Sequence, residues 1–233
     1  MSKQKILREH SESILYSKSD WTLLKIKREK AAYFLKMFEG LNPHIYGSIA
    51  RGNVHKDSDI DIVFTKPIQS FRIEFLLNKN GFKHYFREII MATPKDSIKL
   101  YIYLSELESI TIPLTKLSKK SLEFYDFGGK IGLKELKLGI RVPGIDKRLV
   151  LIQPSPQGHN EMSIIDNEAV AAKELRISID TILERKKVLL KREKYGKTGV
   201  FLKRSLDINE STEEVLKKLS NKKAIIRKKL YQR

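Results

Sequence analysis

The stretch HIYGSIARGNVHKDSDIDIVF, His44 to Phe64, decides how the chain is read. A short apolar run ends in Gly47-Ser48, and two aspartates, Asp59 and Asp61, stand one residue apart further on. Residues i and i+2 of a strand share a face. DIDIVF therefore turns Asp59 and Asp61 the same way and sends Ile60, Ile62 and Phe64 into a core. Two carboxylates held side by side on a rigid strand repel each other unless a cation lies between them. Hard oxygen donors select Mg²⁺ or Mn²⁺, and Mg²⁺ is commonly held by one or two carboxylates together with phosphates. Such a pair can hold a triphosphate and polarise the oxygens of an in-line displacement.

The other half of the pattern lies upstream. Gly47 has no side chain to block a phosphate, and Ser48 offers a hydroxyl and a backbone N–H. SIARG is expected to begin a short helix whose first amides favour an anion, with Arg51 adding a positive charge one turn on.

YGSIARGNVHKDSDIDIVF resembles the signature of the DNA polymerase beta-like nucleotidyltransferase superfamily: Gly-Ser, a spacer, then Asp-x-Asp on a strand. The motif covers about twenty residues, and the order of elements extends the likeness over Asp20 to Leu104. The resemblance implies a metal-dependent transfer of a nucleotide from an NTP, with Asp59 and Asp61 as catalytic metal ligands and Gly47, Ser48 and Arg51 binding the nucleotide. It also implies a third carboxylate on a neighbouring strand. In SIKLYIYL the matching position holds Lys99, and Glu88 in FREII is the substitute if its strand lies beside Asp61. Glu106 and Glu108 are read as surface residues.

Around this motif the periodicity gives a small α/β unit. Asp20 to Phe38 reads as a helix capped by Asp20, with Leu24, Ala31, Leu35 and Phe38 on one stripe and Gly40 at its end. FRIEFLLNKNG returns to helical spacing and stops at Asn80-Gly81. KHYFREIIMAT and IKLYIYL are two strands split by Pro94-Lys95-Asp96. From Gly128 to Pro156, glycines and prolines alternate with the apolar run RLVLIQP, which indicates turns and short strands rather than an open linker.

The third region begins near Ser163. NEAVAAKELRIS and DTILERKKVLLKREKYG are helical and separated by a break, and KTGVFLKRSL alternates like a strand. Helix, turn, helix and wing is the order of a winged helix-turn-helix. Its outer surface would carry Thr181, Arg185, Lys186, Lys187, Lys191 and Arg192, with Lys197, Lys203 and Arg204 bordering the wing, all contacting nucleic acid. The whole order resembles archaeal-type proteins of the same superfamily.

Composition bounds the rest. The 233 residues carry 46 Lys plus Arg against 28 Asp plus Glu, a net charge of +18 that attracts polyanions. The apolar fraction of 41% supports a real core. No cysteine is present, so disulfides and thiolate zinc sites are excluded and a reducing cytoplasm fits. No apolar run suits a membrane helix, and MSKQKILREHSESILY mixes both charge signs too early for a secretory signal. His10, His44, His55, His84 and His159 show no metal-ligand spacing. Tyr16, Tyr101 and Tyr103 are read as packing on the sheet, with stacking on a base the alternative.

The expected fold is α+β: a small mixed-sheet nucleotidyltransferase domain (1–127), a connecting region (128–162), and a basic winged helix-turn-helix domain with a C-terminal helix (163–233). The expected function is metal-dependent nucleotidyl transfer on or beside nucleic acid, DNA ahead of RNA, with Mg²⁺ or Mn²⁺ as cofactor and no membrane partner. The alternative is a DNA-binding regulator with a catalytically degenerate transferase fold. An antitoxin-like transferase acting on a partner protein fits less well, because that class is smaller and less basic.

Overall fold

The chain is described here from a computed structural model that covers residues 5–83, 85–196 and 199–231. After a first strand, β1 (Ser11–Leu15), a capping box opens α1 (Lys18–Met37). Ser17, not Asp20, is the N-cap. Its hydroxyl accepts from the Asp20 N–H, and the Asp20 carboxylate accepts from the Ser17 N–H. The stripe read from the sequence is buried in full: Leu24, Ala31, Leu35 and Phe38.

Next come β2 (His44–Tyr46), the single turn α2 (Ser48–Arg51), β3 (Ile60–Val63) and α3 (Ser70–Lys79). Helix α3 ends at Asn80, and Gly81 takes a φ of 86°, which glycine adopts without steric cost. Strands β4 (Phe86–Met91) and β5 (Lys99–Tyr103) follow as expected. β6 (Glu108–Pro113) corrects the sequence reading of Glu108 as a surface residue: ESITIP alternates and forms a central strand. Then come α4 (Lys119–Gly128), β7 (Lys130–Ile131) and α5 (Leu133–Lys137).

The seven-stranded sheet has the order β11-β4-β5-β6-β3-β2-β7, where β11 is Leu202–Leu206. All its pairings are antiparallel except that of β3 with β6. Its inner face carries Ile60, Ile62, Ile89, Leu100, Ile102, Ile110 and Ile112, which form one core with Phe34, Leu35 and Phe38 of the α1 region and with Ile73 and Leu77 of α3. This core explains the alternation of β5, where Leu100 and Ile102 are buried between half-buried neighbours; β6 instead ends in four buried residues.

The segment from Gly128 to Ser163 contributes β8 (Gly144–Ile145), β9 (Val150–Ser155) and β10 (Gly158–Ser163). With β1 they make a second sheet, ordered β1-β10-β9-β8. Helices α6 (Glu168–Leu175) and α7 (Ile179–Tyr195) pack beneath it, where Ala171, Leu175, Ile182 and Leu189 meet Leu149, Leu151 and Ile164.

The expected wing is not a wing. β11 pairs antiparallel with β4 at the edge of the seven-stranded sheet. Leu202 and Leu206 alternate inward and join the main core, together with Val215 and Leu216 of α8 (Thr212–Lys222) and Ile226 of α9 (Ala224–Tyr231). A two-stranded wing would leave those side chains wet; the sheet edge buries them. Among the described residues no helix is long and apolar enough to cross a membrane.

This arrangement makes β11 part of the main cooperative unit. Leu206→Ala should cost about 2–4 kcal/mol in urea unfolding and shift a single transition seen by all probes. A loss below ~0.5 kcal/mol would mean that Leu206 sits on an independent appendage.

Candidate active site

Tyr46, at the end of β2, hands the chain to Gly47, whose φ of 84° and ψ of −142° lie where glycine is favoured. A side chain here would meet open space, so the glycine is required by the backbone turn rather than by crowding. The Gly47 N–H is used by the Gly129 carbonyl at 2.9 Å. The amides left for an anion are therefore those of the first turn of α2, from Ser48 onward.

β3 runs antiparallel to β2 and brings the aspartates alongside this turn, with Asp61 directly opposite Tyr46. Gly47, Ser48, Arg51, Asp59 and Asp61 all line one cleft of about 790 Å³. Asp59 is exposed just before β3, and Asp61 is half-buried within it. Asp61 Oδ1 accepts a hydrogen bond from Ser109 Oγ at 2.6 Å. Burial raises the Asp61 carboxyl above its ordinary value. The Ser109 hydrogen bond opposes that rise, and the negative charge of Asp59 adds to it. A pair of carboxylates, all oxygen donors, suits a hard divalent cation, so this donor set fits Mg²⁺ or Mn²⁺.

Arg51 lines the cleft but is also engaged by the protein's own backbone. Its guanidinium is buried and donates to the Gly128 carbonyl and to Asn53 Oδ1, tying the turn to the end of α4. Burial lowers its pKa.

Neither candidate for the third acid stands beside Asp61. Two strands, β5 and β6, separate β4 from β3, so Glu88 lies about 14 Å away across the sheet at ~4.8 Å per strand. It is ion-paired with Lys203 at 2.9 Å and accepts from Ser205 Oγ at 3.2 Å. Lys99 is on β5, which β6 separates from β3. It donates to Tyr125 Oη at 3.3 Å, and burial lowers its pKa. The neighbour of β3 is β6, and the residue opposite Asp61 there is Ser109. Tyr101 and Tyr103 pack ring to ring on the outer face of the sheet, with centroids 6.3 Å apart.

The opposite cleft wall comes from the second sheet and was missed by sequence reasoning. His10, Asp146, Lys147, Arg148, His159 and Glu161 all line it. His10 Nε2 meets Glu161 Oε2 at 2.6 Å, His159 Nε2 meets Glu161 Oε1 at 3.2 Å, and Arg148 donates to Oε1 at 2.6 Å. Burial pushes the Glu161 carboxyl up, but the hydrogen bonds from Arg148, His10 and His159 outweigh it and hold the group at about 2. The available signal was a repeated His-x-Glu on alternating residues, at 10–12 and 159–161, but the two copies are far apart in the chain.

The residues expected on a recognition helix divide. Thr181 is buried and bonds to the Glu123 carboxylate. Arg185 stacks on the Phe124 ring at 4.7 Å, and Lys186 is ion-paired with Glu168. That face of α7 packs against α4 and α6 and is not open to a groove. Lys187, Lys191 and Arg192 are exposed. Lys203 pairs with Glu88, and Arg204 is held at 2.7 Å by Glu210; Lys197 lies outside the described residues.

Residues 28–124 match the family model described as nucleotidyltransferase domain. The matched segment runs from α1 through both aspartates and β6 into α4, and it supports a nucleotidyltransferase superfamily origin and nucleotidyl transfer in general terms. No curated protein and no solved structure matches the chain.

The strained charge at Asp61 has a measurable consequence. Its folded-state pKa is raised, so the folded protein holds the proton more tightly than the unfolded chain. Stability then falls as pH rises from the unfolded value through the raised folded one. Asp61→Asn should therefore raise the melting temperature in EDTA at pH 7–8, by about 2–4 °C per kcal/mol relieved. The gain should shrink as the pH falls through that window. A lower melting temperature for Asp61→Asn at pH 7–8 would show that the carboxylate is not under strain.

Proposed function

We propose that the cleft between the Gly47–Asp61 segment and the second sheet transfers a nucleotide from a Mg²⁺- or Mn²⁺-bound NTP to a nucleic-acid acceptor. The observation that carries this reading is the convergence of the Gly47-Ser48 turn with Asp59 and Asp61 on one cleft wall, within the segment that matches the nucleotidyltransferase family.

Asp59 and Asp61 would hold the metal, which when bound offsets phosphate charge and polarises the transferring phosphoryl group. The residues of the chain then do three things. Ser48 and the first amides of α2 receive phosphate oxygens at the turn. The Ser109 hydroxyl fixes the Asp61 carboxylate through its 2.6 Å hydrogen bond, leaving Oδ2 for the metal. Exposed Lys147 on the facing wall adds positive charge to the cleft, whereas Arg148 is engaged by Asp146 and Glu161. A nucleic-acid acceptor is favoured by the +18 net charge and by exposed Lys187, Lys191 and Arg192 on α7.

One observation favours a second reading. Ser109 occupies the position facing Asp61 where a third carboxylate would assist the attacking hydroxyl, and serine is a poor general base. A nucleotide-binding scaffold that transfers nothing is the consequence of that absence.

Calorimetric titration of Mg-NTP should give binding to the wild type and none to the Asp59→Asn, Asp61→Asn double variant. Equal affinity in both would remove the metal reading. Labelled-NTP transfer onto RNA or DNA then separates the two functions: product formation supports the enzyme, and binding without transfer to any acceptor supports the scaffold. If an acceptor binds through α7, replacing Lys187, Lys191 and Arg192 with Ala should weaken it and reduce the slope of log K against log salt by about one per lost phosphate contact. An unchanged slope would move the acceptor elsewhere.

A further inference from the structure

The second sheet brings together two copies of one short pattern. His10-Ser11-Glu12 leads into β1 and His159-Asn160-Glu161 lies in β10, on neighbouring antiparallel strands. The register sets Glu12 directly opposite Glu161 and Ile14 opposite His159. Residues two apart share a face, so His10, Glu12, His159 and Glu161 all turn toward the cleft, which each of them lines.

Two glutamates directly opposite each other across a sheet are destabilising unless something neutralises them. Glu161 is surrounded by partners: His10 and Arg148 at 2.6 Å, and His159 at 3.2 Å. Glu12 is exposed, and among the described residues nothing pairs with its carboxylate. The donor atoms of His10, Glu12 and Glu161 lie within 4.8 Å of one another.

We propose that His10, Glu12 and Glu161 form a second divalent-metal site on the wall opposite the aspartates, selective for a transition ion of the Zn²⁺ or Mn²⁺ kind over Mg²⁺. The chemistry of the donors sets that selectivity. One imidazole nitrogen with two carboxylates suits borderline ions, whereas Mg²⁺ prefers oxygen alone. Two carboxylates and a neutral imidazole cancel a 2+ charge. At metal–ligand distances of roughly 2.0–2.2 Å, tetrahedral ligand atoms are about 3.4 Å apart. Turning the exposed Glu12 side chain closes the remaining gap.

The surroundings are built as a metal site requires. Glu161 Oε1 is anchored by Arg148 and His159, which leaves Oε2 toward His10 and Glu12. His159 is in turn fixed through Nδ1 by Tyr16 Oη at 2.7 Å. Such outer partners orient the ligands and raise affinity by about 10–100-fold. The site uses none of the aspartates of the candidate active site, so it stands or falls separately from the transfer reading.

The test is calorimetry of the metal-free full chain carrying Asp59→Asn and Asp61→Asn, titrated with Zn²⁺ in excess Mg²⁺. One equivalent should bind. Adding Glu12→Gln, an exposed change that leaves the fold intact, should weaken binding at least 10-fold, and adding His159→Gln should weaken it by a similar factor. In a parallel NMR measurement, substoichiometric Mn²⁺ should broaden the His10 ring resonances before that of His55. Absence of stoichiometric Zn²⁺ binding in the aspartate-free background overturns the proposal, as does affinity unchanged by Glu12→Gln or Mn²⁺ broadening that spares His10.

Discussion

The pairing of β3 with β2 on one side and β6 on the other is the constraint on which the rest depends. Among the described strands of the seven-stranded sheet, β3 and β6 form its one parallel pair; β3 carries Asp61, and Asp59 stands immediately before it. Its inner residues, Ile60 and Ile62, are sealed into the core, so the strand cannot slip by one residue without exposing them and burying Asp61. The hydrophobic register thus fixes where the carboxylates point. The cost of holding Asp61 half out of water is borne by that core and partly offset by one serine hydroxyl.

The site is a cleft with two unlike walls. One is made of the Gly47 turn, with its amides, and the carboxylates of Asp59 and Asp61. The other comes from a separate sheet and mixes imidazole, carboxylate and guanidinium around Glu161. Because β1 is the N-terminal strand and β10 lies some 150 residues on, that wall exists only when the first residues return to pair with the later hairpin. α4 ties the two walls together. Its last residues accept from Arg51 and pack near β8, and its outer side receives Thr181 and Arg185 of α7.

Charge distributes accordingly. Some of the 46 basic residues are occupied in pairs that join separate elements: Arg87 with Glu74, Lys186 with Glu168 and Lys203 with Glu88. Residues that look like a nucleic-acid surface in sequence are, in several cases, internal fasteners. The open positive positions on α7 are Lys187, Lys191 and Arg192, which are exposed.

Local pattern alone determined the first helix stripe, the Gly-Ser turn, β3 with its alternating aspartates, α3 with its stop at Asn80-Gly81, and strands β4 and β5. Each of these is set by neighbours within a few residues: capping, alternation, or a glycine at positive φ. Tertiary structure decided which strands lie side by side. KTGVFLKRSL has the same alternation whether it forms a wing or a sheet edge, and only the unfilled edge of β4 and the exposed apolar core beneath it select the second. Likewise nothing local shows that β6, not β5 or β4, flanks Asp61, where Ser109 stands rather than Lys99 or Glu88. Thr181, Arg185 and Lys186 sit at outward-looking positions of an isolated helix, but α4 and α6 cover them. The two His-x-Glu stretches become neighbours through long-range pairing, which carries no short-range signature because contact between distant residues is chosen by the free-energy minimum of the whole chain.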